Sequence, residues 1–369
     1  MPSTDISCLC EVSKIQYSEI PSAAPRSSAA GLWRRFRICF LGMGLGALFL
    51  MLLKNPGVTA AAALDGILLA AKTVLPSTFP YMILSGVMVS SGVTKAMGRL
   101  LRRPVEKLFF LPPAGVAVIL MGLLSGFPVG AKCAADLYLA GDCTKEEAER
   151  LLCFCNFCGP PFILGSVAGF LGSPRAGLVI YLTQTAGMLV LGILLGIAAR
   201  KKARAKKNAD PAVSQAASRR PTMPALAKPF SLLFYESVKS ACPAMLQIAG
   251  FVVFFSILSG ILEKIAPSGG ISAAAIPASG WAITALRGIL EISGGARAAA
   301  ASRAAIGLPG AVFCTAFVTV WSGLSVHMQV ASFALPAGLR MQSYYLCRIV
   351  TAAAVAAASF GICRVAGIC

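Results

Sequence analysis

Apolar residues occupy this chain in long uncharged blocks, at 38–53, 73–94, 108–131, 151–174, 176–199, 240–262, 304–339 and 349–363. Several blocks reach the ~20 residues that a helix needs to cross a hydrocarbon core of about 30 Å. Short polar stretches separate them, and the pattern predicts an all-α polytopic membrane protein. One block is not a simple span. Pro113 to Leu124 is twelve residues, about 18 Å of helix at ~1.5 Å per residue, and the returning arm 131–141 is equally short. Between them Ser125-Gly126-Phe127-Pro128-Val129-Gly130 interrupts a helix, because proline removes a donor and glycine permits sharp turns.

The placement of charge gives the blocks a direction. Segment 200–228 holds nine basic residues and one acid, and 95–107 holds five basic residues and one acid. Lys and Arg collect in cytoplasmic connections, so both segments are expected on that side. Segment 108–141 must then enter from and return to the cytoplasmic face, as a re-entrant hairpin with its tip near the midplane. A second hairpin is expected at 279–305, entered from the other face, with Glu291 to Arg297 as its tip. Broken helices are expected at 151–174 and 309–335, and an interfacial helix outside at 54–72. Seven spans and two hairpins result, with the N-terminus cytoplasmic.

Three pairs of strings suggest a duplication: Lys72-x-x-x-Pro76 with Lys239-x-x-x-Pro243, Ser125-Gly126 to Lys132 with Ser293-Gly294 to Arg297, and Cys158-Gly159-Pro160 with Ser322-Gly323-Leu324. Three spans and a hairpin make an odd number of crossings per unit, so the repeat is inverted. The expected organisation is a disordered cytoplasmic tail (1–35), an N-terminal transmembrane helix (36–56), a first repeat (57–199), a basic cytoplasmic loop (200–228) and a second repeat (229–369). Inverted repeats with discontinuous helices place a substrate site at the midplane between the repeats.

Composition narrows the classes further. With 57% hydrophobic residues, 13% charged residues and a mean hydropathy of +0.78, the chain is not a soluble globule, in which about 25% of residues are charged. A net charge of +19 on a soluble surface would point to nucleic acid. Here the charge lies in the connections, which makes the lipid bilayer the partner and sets topology. The run Cys153-Phe154-Cys155-Asn156-Phe157-Cys158 lacks a second ligand pair at zinc-finger spacing, so its thiols are read as packing, with no metal and no cofactor. There is no Ser/His/Asp spacing, no His-Glu-x-x-His and no phosphate loop. The chain is therefore not read as an enzyme, and a gradient or a partner would energise transport.

The strings 125–132, Cys155-Asn156 with Gly159-Pro160-Pro161-Phe162, Leu290-Glu291-Ile292-Ser293-Gly294, and Ser322 to Val330 resemble the nucleoside-recognition (Gate) domain membrane proteins. Within these they are most similar to sporulation integral membrane proteins of the dipicolinate-transport type. The resemblance covers about 57–366. It implies the architecture of concentrative nucleoside transporters, residence in the outer forespore membrane, and transport of a small anionic metabolite, dipicolinate first. A nucleoside or other small metabolite, and a non-transporting sporulation scaffold, are the alternatives. A coupling proton or sodium ion, a homo-oligomer and sporulation membrane partners are left open. This chain has Phe157 and Cys158 where the family pattern carries a second Asn and a small hydroxyl residue.

The candidate substrate-binding residues are Ser125, Gly126, Gly130, Lys132, Asn156, Glu291, Ser293, Gly294, Arg297, Ser322, Ser325, His327 and Gln329. Lys132 and Arg297 follow a Gly-Ala at the start of a returning half-helix, whose positive end favours an anion. Charges deep in a membrane face a cavity or a partner. The two cations are thus expected either to clamp a dicarboxylate or to pair locally, Lys132 with Asp136 and Arg297 with Glu291. Glu291 either carries a proton or braces its arm through Arg287. His327 either meets substrate or is structural, and Gln184 and Gln247 are secondary candidates as interhelical hydrogen-bonding groups.

Overall fold

The computed structural model describes residues 28–209, 228–265 and 285–367, and every regular element among them is helical. Contacts divide the chain at Asn55/Pro56. The N-terminal unit is a helix, Ser28–Lys54, whose Arg35–Lys54 stretch is long and apolar enough to cross a membrane. Residues 1–27 of the expected disordered tail lie outside the described residues, but 28–35 belong to this helix, which an Ala-, Leu- and Arg-containing sequence favours.

In the second unit, four further helices have span length and composition: Pro174–Ala205, Phe230–Lys264, Arg303–Ala334 and Gln342–Val365. The expected spans at 73–94 and 151–174 take different forms. Helix Pro56–Leu69 runs through a π-helical turn, Ala70–Val74, directly into Leu75–Ser90. A separate interfacial helix at 54–72 is therefore replaced by the first half of one long element. The cause is a seam of small residues against Phe230–Ile265. A Cβ on Gly66 would lie 2.8 Å from Val253 Cα, one on Gly86 2.9 Å from Ser237 Oγ, and one on Gly260 2.7 Å from Ala62 Cβ. Small side chains let helix backbones approach closely where no solvent drives association.

The first hairpin turns where the sequence predicts a helix break. Helix Gly115–Ser125 turns at Gly126 into Val129–Leu139, with a cis peptide bond before Pro128. Its returning arm is enclosed, and Val129, Ala131, Ala134 and Leu137 have no exposed surface. The next helix, Lys145–Phe154, begins in a capping box: Glu147 N–H donates to Thr144 Oγ1 (3.3 Å) and Thr144 N–H donates to Glu147 Oε2 (2.8 Å), which satisfies two otherwise free donors. After a break at 155–160 the chain resumes as Pro161–Val167 and Ala168–Leu171. Helix Pro174–Ala209 then carries the first ten residues of what the sequence suggests is a loop at 200–228; 210–227 lie outside the described residues. Arg150 donates to the carbonyls of Phe109 (3.1 Å) and Phe110 (2.7 Å), and Arg200 to those of Glu106 (3.0 Å) and Lys107 (2.5 Å). Both guanidinium groups thereby tie later helices to the end of the 105–109 turn.

The second half repeats the order of elements. A helical stretch at 285–290, the extended residue Glu291 and helix Ile292–Ala301 form the second tip. The start of that hairpin, 279–284, and the connection before it lie outside the described residues. Helix Arg303–Trp321 bends at Gly307, breaks at Ser322 and continues as Gly323–Ala334; Gln342–Val365 ends the fold.

Candidate functional site

Each tip is seated on the break of the helix that follows it. In the first half, Phe127 N–H donates to the Phe157 carbonyl (2.9 Å), and Gly126 pairs with Cys158 as an isolated antiparallel bridge. Gly126 adopts φ 77°, ψ −153°, a region open essentially to glycine. A Cβ on Gly159 would stand 2.5 Å from the Ser125 carbonyl oxygen, and one on Gly122 or Gly130 would collide with the Cys155 carbonyl. In the second half, a Cβ on Gly323 would stand 3.1 Å from both Glu291 N and the Leu290 carbonyl oxygen. Ser322 there takes φ 76°, a left-handed conformation uncommon for a residue with a side chain. The Ser-Gly and Gly-Pro pairs of the sequence are therefore backbone-to-backbone contacts.

Polar side chains hold the breaks. Gln184 donates to the Cys158 carbonyl (2.8 Å), and Cys158 Sγ donates to the Thr319 carbonyl (3.4 Å), joining the first break to the second broken helix. Asn156 is fully buried, donates to the Leu152 carbonyl (3.0 Å), and leaves its Oδ1 without a hydrogen-bond partner among the described residues. The carboxylate of Glu291 accepts from Ser293 N–H (2.9 Å) and Gly294 N–H (2.6 Å). It is the N-cap of its own half-helix, so the anion at this positive helix end is supplied by the protein. Arg287 does not brace it; that guanidinium pairs with Glu263 at 2.9 Å.

A cavity of about 70 Å³ lies where both tips and both breaks converge, with Ser125, Gly159, Glu291, Ser293, Ser325 and Gln329 in its wall. Thr78, from the long helix 56–90, completes the polar lining. Gln329 Nε2 donates to Ser325 Oγ (3.4 Å). A water occupies about 30 Å³ of liquid, so this space has room for a few waters. Glu291 and Ser293 also line a second cavity of about 370 Å³ that reaches Asp65, Ser256, Glu263 and Arg297. The second tip is the partition between the two spaces.

The two cations are not brought together. Counted from the first residue of each returning helix, Lys132 is fourth and Arg297 sixth, which turns them about 200° apart around the helix. The matching Gly-Ala-cation strings are out of register by two residues, because the first tip spends three residues on its turn and the second spends one. Lys132 is buried and pairs with Asp136 at 2.6 Å beside a separate cavity with Glu236 and Ser237, whereas Arg297 is exposed in the larger vestibule. A joint clamp on one dicarboxylate does not fit this arrangement. Gly294 also differs from expectation, since a Cβ there meets only Glu291 Oε2, at 3.4 Å. The tight position is Gly295, packed on Gly288 and Val318.

His327 stands one turn beyond the second break and outside the central cavity. Its Nδ1 is 3.0 Å from Tyr344 Oη, and Trp321, Tyr344 and Tyr345 meet its ring edge to face. Ser322 Oγ accepts a hydrogen bond from Arg348 Nη2 at 3.3 Å. Arg348 escapes sequence reading because 342–348 looks like the polar entrance to an apolar block. The signal is its spacing: a cation in the second turn of a 24-residue apolar helix, four residues after Tyr344.

Residues 71–174 match the family model described as Gate, nucleoside recognition. The chain is similar to the sporulation integral membrane protein YlbJ of Bacillus subtilis (strain 168), with 28% identity over 311 residues that cover 80% of this chain and 76% of that protein. No solved structure gives a significant match. The resemblance read from the tip and break motifs therefore holds: residues 71–174, which contain the first tip and the first break, match the nucleoside-recognition Gate model, and the chain is a multi-pass membrane protein similar to a sporulation protein.

Proposed function

We propose that this protein is a secondary transporter or permease that moves a small anionic metabolite, dipicolinate in the first instance, across a membrane during sporulation. The observation that carries the reading is the cavity walled by two tips and two breaks from the two halves of the chain. Non-helical backbone at membrane depth is tolerated where it is buried in protein or lines an aqueous space. A scaffold has no use for two such breaks facing each other. The halves are inverted repeats, the tips are re-entrant, and 95–107, 142–150 and 200–228 lie in the cytoplasm with the N-terminus.

Under this proposal the second tip is the gate. Glu291 and Ser293 border both the small cavity and the larger vestibule, so moving this one element joins the two spaces. Glu291 is the group that a coupling proton or sodium ion would neutralise as the anion passes. The sporulating context is carried over from the relative's name, and residence in the outer forespore membrane from the resemblance read in the sequence. A nucleoside is the second substrate class, favoured by the family description of residues 71–174 and by the hydroxyl and amide lining of the cavity.

Uptake of radiolabelled dipicolinate into proteoliposomes holding this protein alone tests the proposal. Saturable uptake that excess unlabelled dipicolinate suppresses and uridine does not is the expected result. Uridine uptake without dipicolinate uptake would reassign the substrate, and no flux of either would leave the scaffold.

A further inference from the structure

Arg348 is a buried charge without a counter-charge among the described residues. It has no exposed surface, and among the described residues no carboxylate lies within ion-pair distance of it. Its polar contacts include the 3.3 Å hydrogen bond to Ser322 Oγ and a side-chain hydrogen bond with Tyr344, whose ring face lies 5.5 Å away. Nε and Nη1 have no hydrogen-bond partner among the described residues. Two neighbouring atoms share that condition: Trp321 Nε1, next to Ser322 in sequence, and His327 Nε2, on the ring that Trp321 and Tyr344 enclose. A guanidinium stays protonated in proteins, and a buried charge needs a partner that satisfies its hydrogens. Three obligate donors without partners among the described residues, Arg348 Nε and Nη1 and Trp321 Nε1, grouped behind one helix break point to a missing acceptor.

The position of the cluster suggests when the acceptor arrives. Ser322 is the break itself, and the tip residues Leu290 and Glu291 pack against the next residue, Gly323. Ser325, one turn on, already lines the central cavity. Withdrawal of the second tip would uncover Ser322, and with it the two free edges of the guanidinium. Nε and Nη1 lie on opposite sides of the planar guanidinium, and each forms a fork for a carboxylate only together with the second N–H of Nη2, whose other N–H is held by Ser322. We infer that Arg348, with Ser322, is the anion-recognising group of the transport path, engaging one carboxylate of the passing molecule when the second tip lifts from the break. The inference rests on the proposed transport role but does not depend on which anion is carried. It also assigns the positive charge in the path to a residue other than Lys132 and Arg297.

The test is chemical protection of Arg348 in the full-length protein in lipid nanodiscs. Phenylglyoxal modification of this residue is followed by peptide mass spectrometry with benzoate, with dipicolinate, or with the uncharged isostere benzamide. Benzoate is expected to slow modification at least fivefold and benzamide to leave the rate unchanged. The buried residue is expected to react slowly without anion, and faster in Gly323→Ala, where the added methyl crowds the tip at 3.1 Å and strains the left-handed backbone. Failure of Arg348 to react even in Gly323→Ala, or equal rates with and without every anion, would overturn the assignment. Arg348→Lys should keep part of any dipicolinate uptake and Arg348→Gln lose at least tenfold, with both inserted in the membrane. Wild-type uptake in Arg348→Gln would also overturn it. Benzoate protection without dipicolinate flux would refute the substrate proposed above and uphold the anion site, whereas flux without protection would do the reverse.

Discussion

Gly130 and Gly294 are both tip glycines in the sequence, yet the structure gives them opposite surroundings, and alanine at each distinguishes the two. A Cβ on Gly130 collides with the Cys155 carbonyl and lies 3.2 Å from Asn156 Oδ1. The obstacle is backbone, so relief requires the returning arm to move off the break. Overpacking of this kind costs about 1–3 kcal/mol or more, partly offset by up to ~1 kcal/mol of helix propensity gained when alanine replaces glycine. The clash wins at Gly130, leaving a net loss of roughly 1–2 kcal/mol. At Gly294 the added methyl meets only Glu291 Oε2 at 3.4 Å, an ordinary contact, so the propensity gain stands alone. At about 2–4 °C per kcal/mol for a large domain, Gly130→Ala should lower the temperature of half-loss of monodisperse protein in detergent by roughly 2–8 °C. Gly294→Ala should leave it unchanged or raise it slightly. Flux in proteoliposomes should fall in the first variant and persist in the second. Equal stability and flux in the two would refute the seating of the first tip on the first break.

Removing Gln184 by substitution with leucine should lower stability by about 1 kcal/mol, the usual net worth of a hydrogen bond, and reduce flux more than stability, because its bond to the Cys158 carbonyl sets the break; thermal unfolding and uptake measured on one preparation check this. Glu291→Ala should cost about 1–2 kcal/mol through loss of the N-cap, while Glu291→Gln should retain most stability and lose gradient-driven accumulation, seen as uptake that no longer exceeds equilibration. Lys132→Met alone should impair the protein by leaving Asp136 unpaired, and Lys132→Met with Asp136→Leu should recover it, because the 2.6 Å pair is local; uptake in the double variant equal to that in the single would show that Lys132 serves something besides Asp136. Single cysteines at 108 and 142, in a background without other cysteines, should be labelled from the same face of the membrane; labelling from opposite faces would make 108–141 a span.

The elements that rest on local chemistry were legible in the sequence. Proline and glycine at 126–130 stop a helix whatever surrounds them, and the first hairpin turns there. Ser322-Gly323 and Cys155 to Pro160 interrupt their helices for the same reason. What depends on register was not legible. The Ser-Gly motifs align by letters as Ser125 with Ser293, but the chain turns at Gly126 and at Glu291, and this shift carries Lys132 and Arg297 to different faces. The glycines on the helices 56–90 and 230–265 carry no mark of their partners, so a continuous helix through 56–90 was hidden behind the polarity of Lys72. Arg348 was hidden for the opposite reason: a cation beside other polar residues reads as a helix end, and only packing reveals that it is enclosed.

The central claim is that the space walled by both tips and both breaks is the path of the transported molecule. In a background stripped of the thirteen native cysteines, Ser325→Cys puts one thiol in the cavity wall, and Leu346→Cys puts one on an exposed surface. Each is modified to completion with a small methanethiosulfonate, and dipicolinate uptake is then measured in proteoliposomes. Modification at 325 is predicted to abolish uptake, and excess dipicolinate to slow the reaction there, whereas modification at 346 leaves uptake intact. Full uptake after complete modification at 325 would contradict the account.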